Sequence, residues 1–315
     1  GEWRMGRMLN FSLPLVKPLQ KLPHGRIRET RTLKLETHSV DYIYVGPKKR
    51  SVRVVVFPGN PGTAGWYEHF LLELENLTKR KDVGFYCISH AGHDTSGLNG
   101  LRTFDVEEQV QSAMKAMERI EPAEHTVFVG HSFGAHVCQE IVKRNGEIKP
   151  SSCLVYLMPL TYCKRRVNDV EKFLMRKALS DPVAAVVAAV TSVIPSRLRR
   201  ALVRSKGYSE AAVSQTLQCA GKFGLFRNIL HLVRSEVQTV EGLDFELLRQ
   251  MQDRHLYYHV DDDRWDPEDA YNFYCKTLGP GASVHDRSGT KHAFVLQDDW
   301  VSRVARKVSG FIDEM

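Results

Sequence analysis

One stretch constrains the fold of this chain more than any other: Thr126-Val-Phe-Val-Gly130-His131-Ser132-Phe133-Gly134, followed by a helical pattern from Ala135 to Arg144. An apolar run that leads into Gly-x-Ser-x-Gly and then into a helix suits a buried parallel strand, Thr126 to Val129, that reverses sharply. The turn residue is then held in a strained backbone conformation with its side chain above the sheet, and the positions two residues away must be small, hence Gly130 and Gly134. Ser132 would stand at the helix N-terminus, its oxygen exposed and unpaired N–H groups pointing the same way. That geometry suits a nucleophile. An ordinary strand-to-helix turn with incidental glycines would carry the same five letters, so the rest of the chain has to decide.

The surrounding pattern supplies the sheet that such a turn needs. Arg31 to Glu36 and Val40 to Val45 alternate apolar and polar residues, the period of an antiparallel hairpin at a sheet edge. Val52 to Phe57 is almost continuously apolar, as for a strand covered on both faces, and ends in Pro58-Gly59-Asn60-Pro61-Gly62. A helix is expected from about Gly65 to Lys79, a strand over Phe85 to Ser89, and a helix over Asp105 to Ile120. Beyond the serine turn, Cys153 to Met158 predicts another buried strand. The alternation stops from Leu160 to about Arg249, which is helical, basic and partly very apolar. It resumes with a strand His255 to Val260, a helix from about Pro267 to Leu278, a strand Ala282 to Asp286 and a closing helix Asp298 to Phe311. This predicts a mostly parallel sheet flanked by helices, with 25–159 and 250–315 as its body, 160–249 as a helical cap, and 1–24 left out as an extension.

Composition narrows the function. At 315 residues, 43% hydrophobic and 26% charged, the chain is that of a folded protein with one large α/β body and an insertion. A net charge of +7 and a pI near 9.0 suit an anionic partner or surface, but there is neither a basic stripe interleaved with aromatics nor a nucleic-acid motif, so nucleic acid is not expected. Cys87, Cys138, Cys153, Cys163, Cys219 and Cys275 lack paired spacing and read as reduced, mostly buried thiols. No signal-peptide pattern opens the sequence, which starts at Gly1 with Met5 and Met8 close behind, so an intracellular protein is expected and the Asn10 and Asn76 glycosylation patterns carry no weight.

A serine hydroxyl needs a base to take its proton and a third group to fix that base. In an α/β-hydrolase fold the acid follows a late strand and the histidine the last one. Both places are occupied, by Asp261-Asp262-Asp263-Arg264-Trp265 and by Gly289-Thr290-Lys291-His292-Ala293-Phe294. His292 is the expected base; His285 falls inside the strand. Asp263 is the expected orienter because it starts the Asp-x-Trp segment, with Asp262 and Asp261 as alternatives. A tetrahedral intermediate needs preorganised donors: the backbone N–H of Phe133 is one, and in the loop after Phe57 Asn60 can donate where Pro58 and Pro61 cannot. His90, His93 and His131 read as hydrogen-bonded structural residues, and no metal or organic cofactor is implied.

Pro58-Gly-Asn-Pro-Gly62, Ser89-His-Ala-Gly-His93, Gly97-Leu-Asn-Gly100, Gly130-His-Ser-Phe-Gly134, Asp263 to Trp265 and Lys291-His-Ala-Phe294 together resemble the lipid droplet-associated hydrolase family, from roughly Val52 to the C-terminus. The first two motifs are its most specific part, and the acid segment here is a residue longer than the usual family loop. The resemblance implies a serine hydrolase of lipid esters with weak cholesterol esterase activity and a role in neutral-lipid storage, on the cytosolic face of droplets and endoplasmic reticulum, with Ser132, Asp263 and His292 as its triad. Two other readings use the same residues: a droplet surface protein with little turnover, or an acyltransferase or thioesterase whose acyl-enzyme is released by an alcohol or a thiol.

Within the cap, Val183 to Ile194 is uncharged and too short for the roughly 20 residues that span a bilayer. Pro195 stops it. Arg197, Arg199, Arg200, Arg204 and Lys206 follow, and Lys164, Arg165, Arg166, Arg176 and Lys177 precede. Such a segment either packs as a buried helix over the site or lies in one leaflet with its cations at the headgroups; with the resemblance, lipid contact is the expectation.

Overall fold

The computed structural model describes residues 20–22, 26–144, 151–161, 167–168 and 176–315. Cys163, Lys164, Arg165, Arg166 and Asn10 lie outside the described residues, as does the side chain of Lys177.

Among the described residues nine strands form one sheet: β1 (Gln20–Lys21), β2 (Ile27–Lys34), β3 (Ser39–Gly46), β4 (Val52–Phe57), β5 (Val83–Ile88), β6 (His125–His131), β7 (Ser152–Leu157), β8 (His255–Val260) and β9 (Ser283–Asp286), in the order β1-β2-β3-β5-β4-β6-β7-β8-β9. From β5 to β9 every pairing is parallel, and β1 to β3 add an antiparallel edge. The edge departs from expectation: β2 starts at Ile27 rather than Arg31. The Leu35 N–H bonds the His38 carbonyl at 2.8 Å, so residues 35–38 are the turn and pairing shifts towards the N-terminus. Gln20 and Lys21, set aside in the sequence reading, pair with β2.

The helices explain the near-continuous apolar strands. On one face α1 (Glu68–Leu77) and the closing α10 (Asp298–Asp313) cover Val54, Val56, Val127, Val129 and Val155; on the other α2 (Val106–Arg119), α3 (Phe133–Arg144) and α9 (Glu268–Leu278) cover Val55, Phe57, Phe128, Leu154 and Tyr156. Along each strand alternate residues enter opposite cores. Val301, Val304, Val308 and Ile312 give α10 one fully buried stripe, each side chain stabilising by about 1.5–3 kcal/mol over an exposed one. The helix expected from Gly65 begins as a tight turn, Ala64–Tyr67, before α1.

Between β7 and β8 the described residues form α4 (Lys177–Val193), α5 (Ser196–Arg204), α6 (Glu210–Cys219), α7 (Phe223–Thr239) and α8 (Phe245–Met251). The chain leaves β4 for β5 on one side and leaves β6 for β7 on the other, although β4 and β6 are paired, Phe57 opposite Gly130. Connections that diverge from neighbouring parallel strands open a crevice at their C-terminal ends. The loops after Phe57 and after His131 face each other there.

Candidate active site

Ser132 follows β6 directly with φ 53°, the left-handed region that L-residues seldom occupy, and is buried to 8% exposure. The turn is held by three backbone bonds: Ser132 N–H to the Leu157 carbonyl (3.0 Å), and the Ser132 carbonyl to Ala135 N–H (3.1 Å) and Leu160 N–H (3.2 Å). Both glycines are sterically required. A Cβ on Gly134 would lie 2.0 Å from the Phe57 carbonyl oxygen, and one on Gly130 2.4 Å from Cα of Ala135. Helix α3 starts at Phe133, two residues earlier than the pattern suggests, so the Phe133 N–H is the first of the helix.

The loops after β8 and β9 bring Asp263 and His292 together. His292 Nδ1 lies 2.7 Å from Asp263 Oδ2, with the carboxylate fully buried and the imidazole about one quarter exposed. The other oxygen of Asp263 accepts from the N–H groups of Trp265 (2.8 Å) and Asp266 (3.2 Å). The alternatives are engaged elsewhere: Asp261 bonds His285 at 2.7 Å, and Asp262 points to solvent beside Lys291. Asp266 anchors the loop from beneath, taking the Tyr257 hydroxyl on one oxygen and His259 Nδ1 on the other at 3.0 Å. Burial raises its carboxyl to about 6.

The loop Pro58-Gly-Asn-Pro-Gly62 passes the serine closely: a Cβ on Gly59 would stand 3.1 Å from Cβ of Ser132. The Ser89-His-Ala-Gly-His93 motif holds it. His90 Nε2 donates to the Pro58 carbonyl (2.9 Å), Gly62 N–H donates to His93 Nδ1 (2.8 Å), and the His90 ring fills the space a Cβ on Gly62 would take. Burial keeps both imidazoles neutral, His90 down to about 4. The two motifs are one interlocked unit. Asn99 of Gly97-Leu-Asn-Gly100 clips the next loop to β3, exchanging two 2.8 Å bonds with the Ser39 backbone.

Three supporting residues escaped the sequence reading. Tyr67 accepts from Gly59 N–H (2.9 Å) and meets His131 Nδ1 at 2.5 Å, while His131 Nε2 donates to the His292 carbonyl at 2.8 Å. Asn228 of α7 binds the Phe104 N–H and the carbonyls of Arg102 and Gly224. Glu236 of α7 accepts from the Asn60 side-chain amide at 3.2 Å. Most of their partners lie far away in sequence, and no local pattern marks them.

The family model for lipid-droplet associated hydrolases matches residues 50–295, which takes in every loop just described. The chain belongs to the lipid-droplet-associated hydrolase family. It shares 26% identity over 262 residues with the lipid droplet-associated hydrolase of Gallus gallus, covering 77% of this chain and 79% of that one. With the one of Dictyostelium discoideum it shares 24% over 318 residues, covering 95% and 98%. The fold is the α/β-hydrolase fold: the thioesterase domain from the curacin biosynthetic pathway superposes with a TM-score of 0.60 at 13% identity, covering 91% of this chain and 99% of that domain. The family classes the protein as a hydrolase.

Away from these loops of the lipid-droplet-associated hydrolase family, α4 and α5 give this chain an apolar outer surface. Ala184 and Ala188 face inward and are buried, whereas Val186, Val190 and Val193 are 61%, 51% and 77% exposed. Helix α5 turns away by 106° after Pro195 and exposes Leu198 and Leu202, each 52%. Among the described residues no single helix is long and apolar enough to cross a membrane. Arg197, Arg204 and Lys206 stand exposed alongside.

Proposed function

We propose that this protein hydrolyses esters of neutral lipids, cholesteryl or related esters, at the surface of a lipid droplet, through an acyl-enzyme on Ser132. The observation that carries this reading is the 2.7 Å bond between His292 Nδ1 and Asp263 Oδ2. A carboxylate can only accept, so it fixes the proton on Nδ1 and leaves Nε2 as the base that takes the Ser132 proton. Ser132 Oγ attacks the ester carbonyl, and the N–H groups of Asn60 and Phe133 donate to the oxyanion. His292 then protonates the departing alcohol and activates the water that releases the fatty acid. Asp263, without becoming protonated, stabilises the imidazolium formed in each half-reaction.

The substrate class rests on the outer surface and on the family name, which ties the relatives to lipid droplets. An apolar helix face flanked by arginines suits a phospholipid monolayer, its valines and leucines among acyl chains and its cations at anionic headgroups. In this reading residues 25–159 and 250–315 are the catalytic body, 160–249 is the lipid-contacting cap, and the protein resides on droplets and the cytosolic face of the endoplasmic reticulum.

The test is labelling with a fluorophosphonate probe at neutral pH, comparing wild type with Ser132→Ala and His292→Ala, followed by a panel of sterol, acylglycerol and short-chain esters. Wild-type labelling that both variants abolish supports the triad. A folded wild type that fails to label in the presence of lipid vesicles would favour a surface protein with little turnover.

A further inference from the structure

Helix α7 reaches from the lipid-facing α4 to the loop beside the serine, and its contact with that loop is chemically unusual. The side-chain amide of Asn60 donates both of its hydrogens into α7, to the Ile229 carbonyl (3.1 Å) and to Glu236 Oε1 (3.2 Å), two positions on one face of the helix. The amide oxygen, Oδ1, is buried and has no hydrogen-bond partner. Glu236 is itself only 6% exposed, and among the described residues no Lys, Arg or His forms an ion pair with it. A buried carboxylate without a cation and a buried amide oxygen without a donor would each cost free energy alone. A single proton on Glu236 would relieve both.

We propose that Glu236 is a positioning residue whose carboxylic acid pairs at two points with the side-chain amide of Asn60 and so holds the Asn60 backbone N–H towards Ser132. In this pair Asn60 Nδ2 donates to Glu236 Oε1, and the O–H on Oε2 donates to Asn60 Oδ1. The carboxylate form has no hydrogen to give and leaves Oδ1 stranded. Burial favours the acid, raising the group to about 8, against a smaller opposing effect of the Asn60 bond. The charged and titratable groups on elements around it are engaged elsewhere. Arg227 of α7 pairs with Asp181 of α4, Arg234 bonds His231, Asp105 and Glu108 cap α2, and burial holds His90, His93 and His136 down. The proposal rests on Asn60 as oxyanion donor; it adds that the donor is set from the insertion and by a proton.

The experiment compares Glu236→Gln and Glu236→Leu with wild type in the full chain, reading pre-steady-state fluorophosphonate labelling and steady-state ester hydrolysis across pH. Infrared difference spectra, wild type minus Glu236→Gln, report protonation independently of turnover. Gln presents the same acceptor and donor at every pH, so Glu236→Gln should keep most of the neutral-pH rate and lose the alkaline decline that wild type shows above about pH 8. Glu236→Leu should lower kcat by about 10- to 100-fold with KM little changed, short of the loss of a whole oxyanion donor. If Glu236→Leu does not fold, the glutamine variant and the spectra still decide. A carboxylate band at neutral pH, or the same alkaline decline in Glu236→Gln, overturns the proposal. A folded wild type that never labels, with a protonated Glu236 in the spectra, removes the hydrolase reading and the catalytic role of the pair together, while an ionised Glu236 in an active enzyme removes the pair alone.

Discussion

The hydroxyl of Tyr67 stands 2.5 Å from Nδ1 of His131, and this one contact joins the two loops that flank the serine. His131 Nε2 donates to the His292 carbonyl, so Nδ1 of the neutral ring must accept, and Tyr67 must donate to it. The same oxygen accepts from Gly59 N–H. A continuous line of bonds thus runs from the loop beside Asn60, through the residue before the serine, to the backbone of His292. Burial keeps His131 neutral and the Tyr67 hydroxyl protonated, so the polarity of the line does not change near neutral pH.

Tyr67→Phe removes the donor to His131 and the acceptor of Gly59 in one step. Two buried polar groups lose partners, at about 1–3 kcal/mol each. The expected result is a lower melting temperature together with a lower kcat and an unchanged KM, measured by thermal unfolding and ester hydrolysis. An unchanged kcat in a destabilised variant would mean that His90 and His93 hold the loop without help.

The acid can be assigned by substitution. Asp263→Asn keeps the shape of the loop but replaces the acceptor of His292 Nδ1 with a group that can favour the wrong tautomer, and a drop of about 10⁴ in kcat is expected. Asp262→Asn, 86% exposed at its side chain, should leave kcat and the pH profile as they are. Steady-state kinetics on the two variants checks both, and equal losses would break the assignment.

Much of this site is legible in the sequence because its requirements are local. Gly130 and Gly134 are fixed by contacts within a few residues or across one strand pair. The sequence does not separate Asp261, Asp262 and Asp263, since a one-residue shift of the loop redirects each side chain; the structure gives Asp261 to His285 and Asp262 to solvent beside Lys291. Tyr67 and Glu236 had no sequence signal at all. Tyr67 reads as one more aromatic at a helix start, and Glu236 as one more acidic residue on an amphipathic helix, until residues 64 and 176 positions away are brought beside them. The bounds of β2 differ from the alternation for a related reason: at a half-exposed edge the pattern is weak, and the turn bond from Leu35 to His38 decides where the strand ends.

Two glycine substitutions should diverge. Gly134→Ala drives a methyl to 2.0 Å from the Phe57 carbonyl oxygen and 2.6 Å from that of Pro58, both backbone atoms that cannot swing aside. Loss of soluble, labelled protein is expected. Gly310→Ala, in the interior of α10 with open space where the Cβ would go, should raise stability by about 0.5–1 kcal/mol. Expression and melting temperature read both effects, and a well-folded Gly134→Ala would mean that the turn tolerates more movement than its backbone bonds allow.

The outer face of α4 and α5 makes a separate prediction. Val190→Glu with Val193→Glu places two carboxylates where valines are 51% and 77% exposed, without touching the buried Ala184 and Ala188. The melting temperature should hold, while co-flotation with anionic phospholipid vesicles or purified droplets should fall. High salt should weaken the remaining binding, because the adjoining arginines act through screened charge. Undiminished flotation of the double variant would move lipid contact to another surface.

The buried carboxyl of Glu236 also gives stability a sign with pH. Its folded value, about 8, lies above its ordinary 4.5, so the folded state keeps a proton that the unfolded chain releases. The contribution is fully present below about 4.5 and is lost as pH rises towards 8. Asp266, raised to about 6 from 3.8, acts in the same sense over a lower range. The buried histidines act in the opposite sense: His90 falls from 6.5 to about 4, and its contribution is present above 6.5 and lost as pH drops through that interval. Stability should therefore decline on both sides of a mildly acidic to neutral maximum. Glu236→Gln cannot titrate, so its melting temperature relative to wild type should climb between about pH 5 and 8 and then level off, as scanning calorimetry at a series of pH values would record. A difference that stays flat over that interval would mean that Glu236 is already ionised in the folded protein, and that Asn60 is held by something other than its proton.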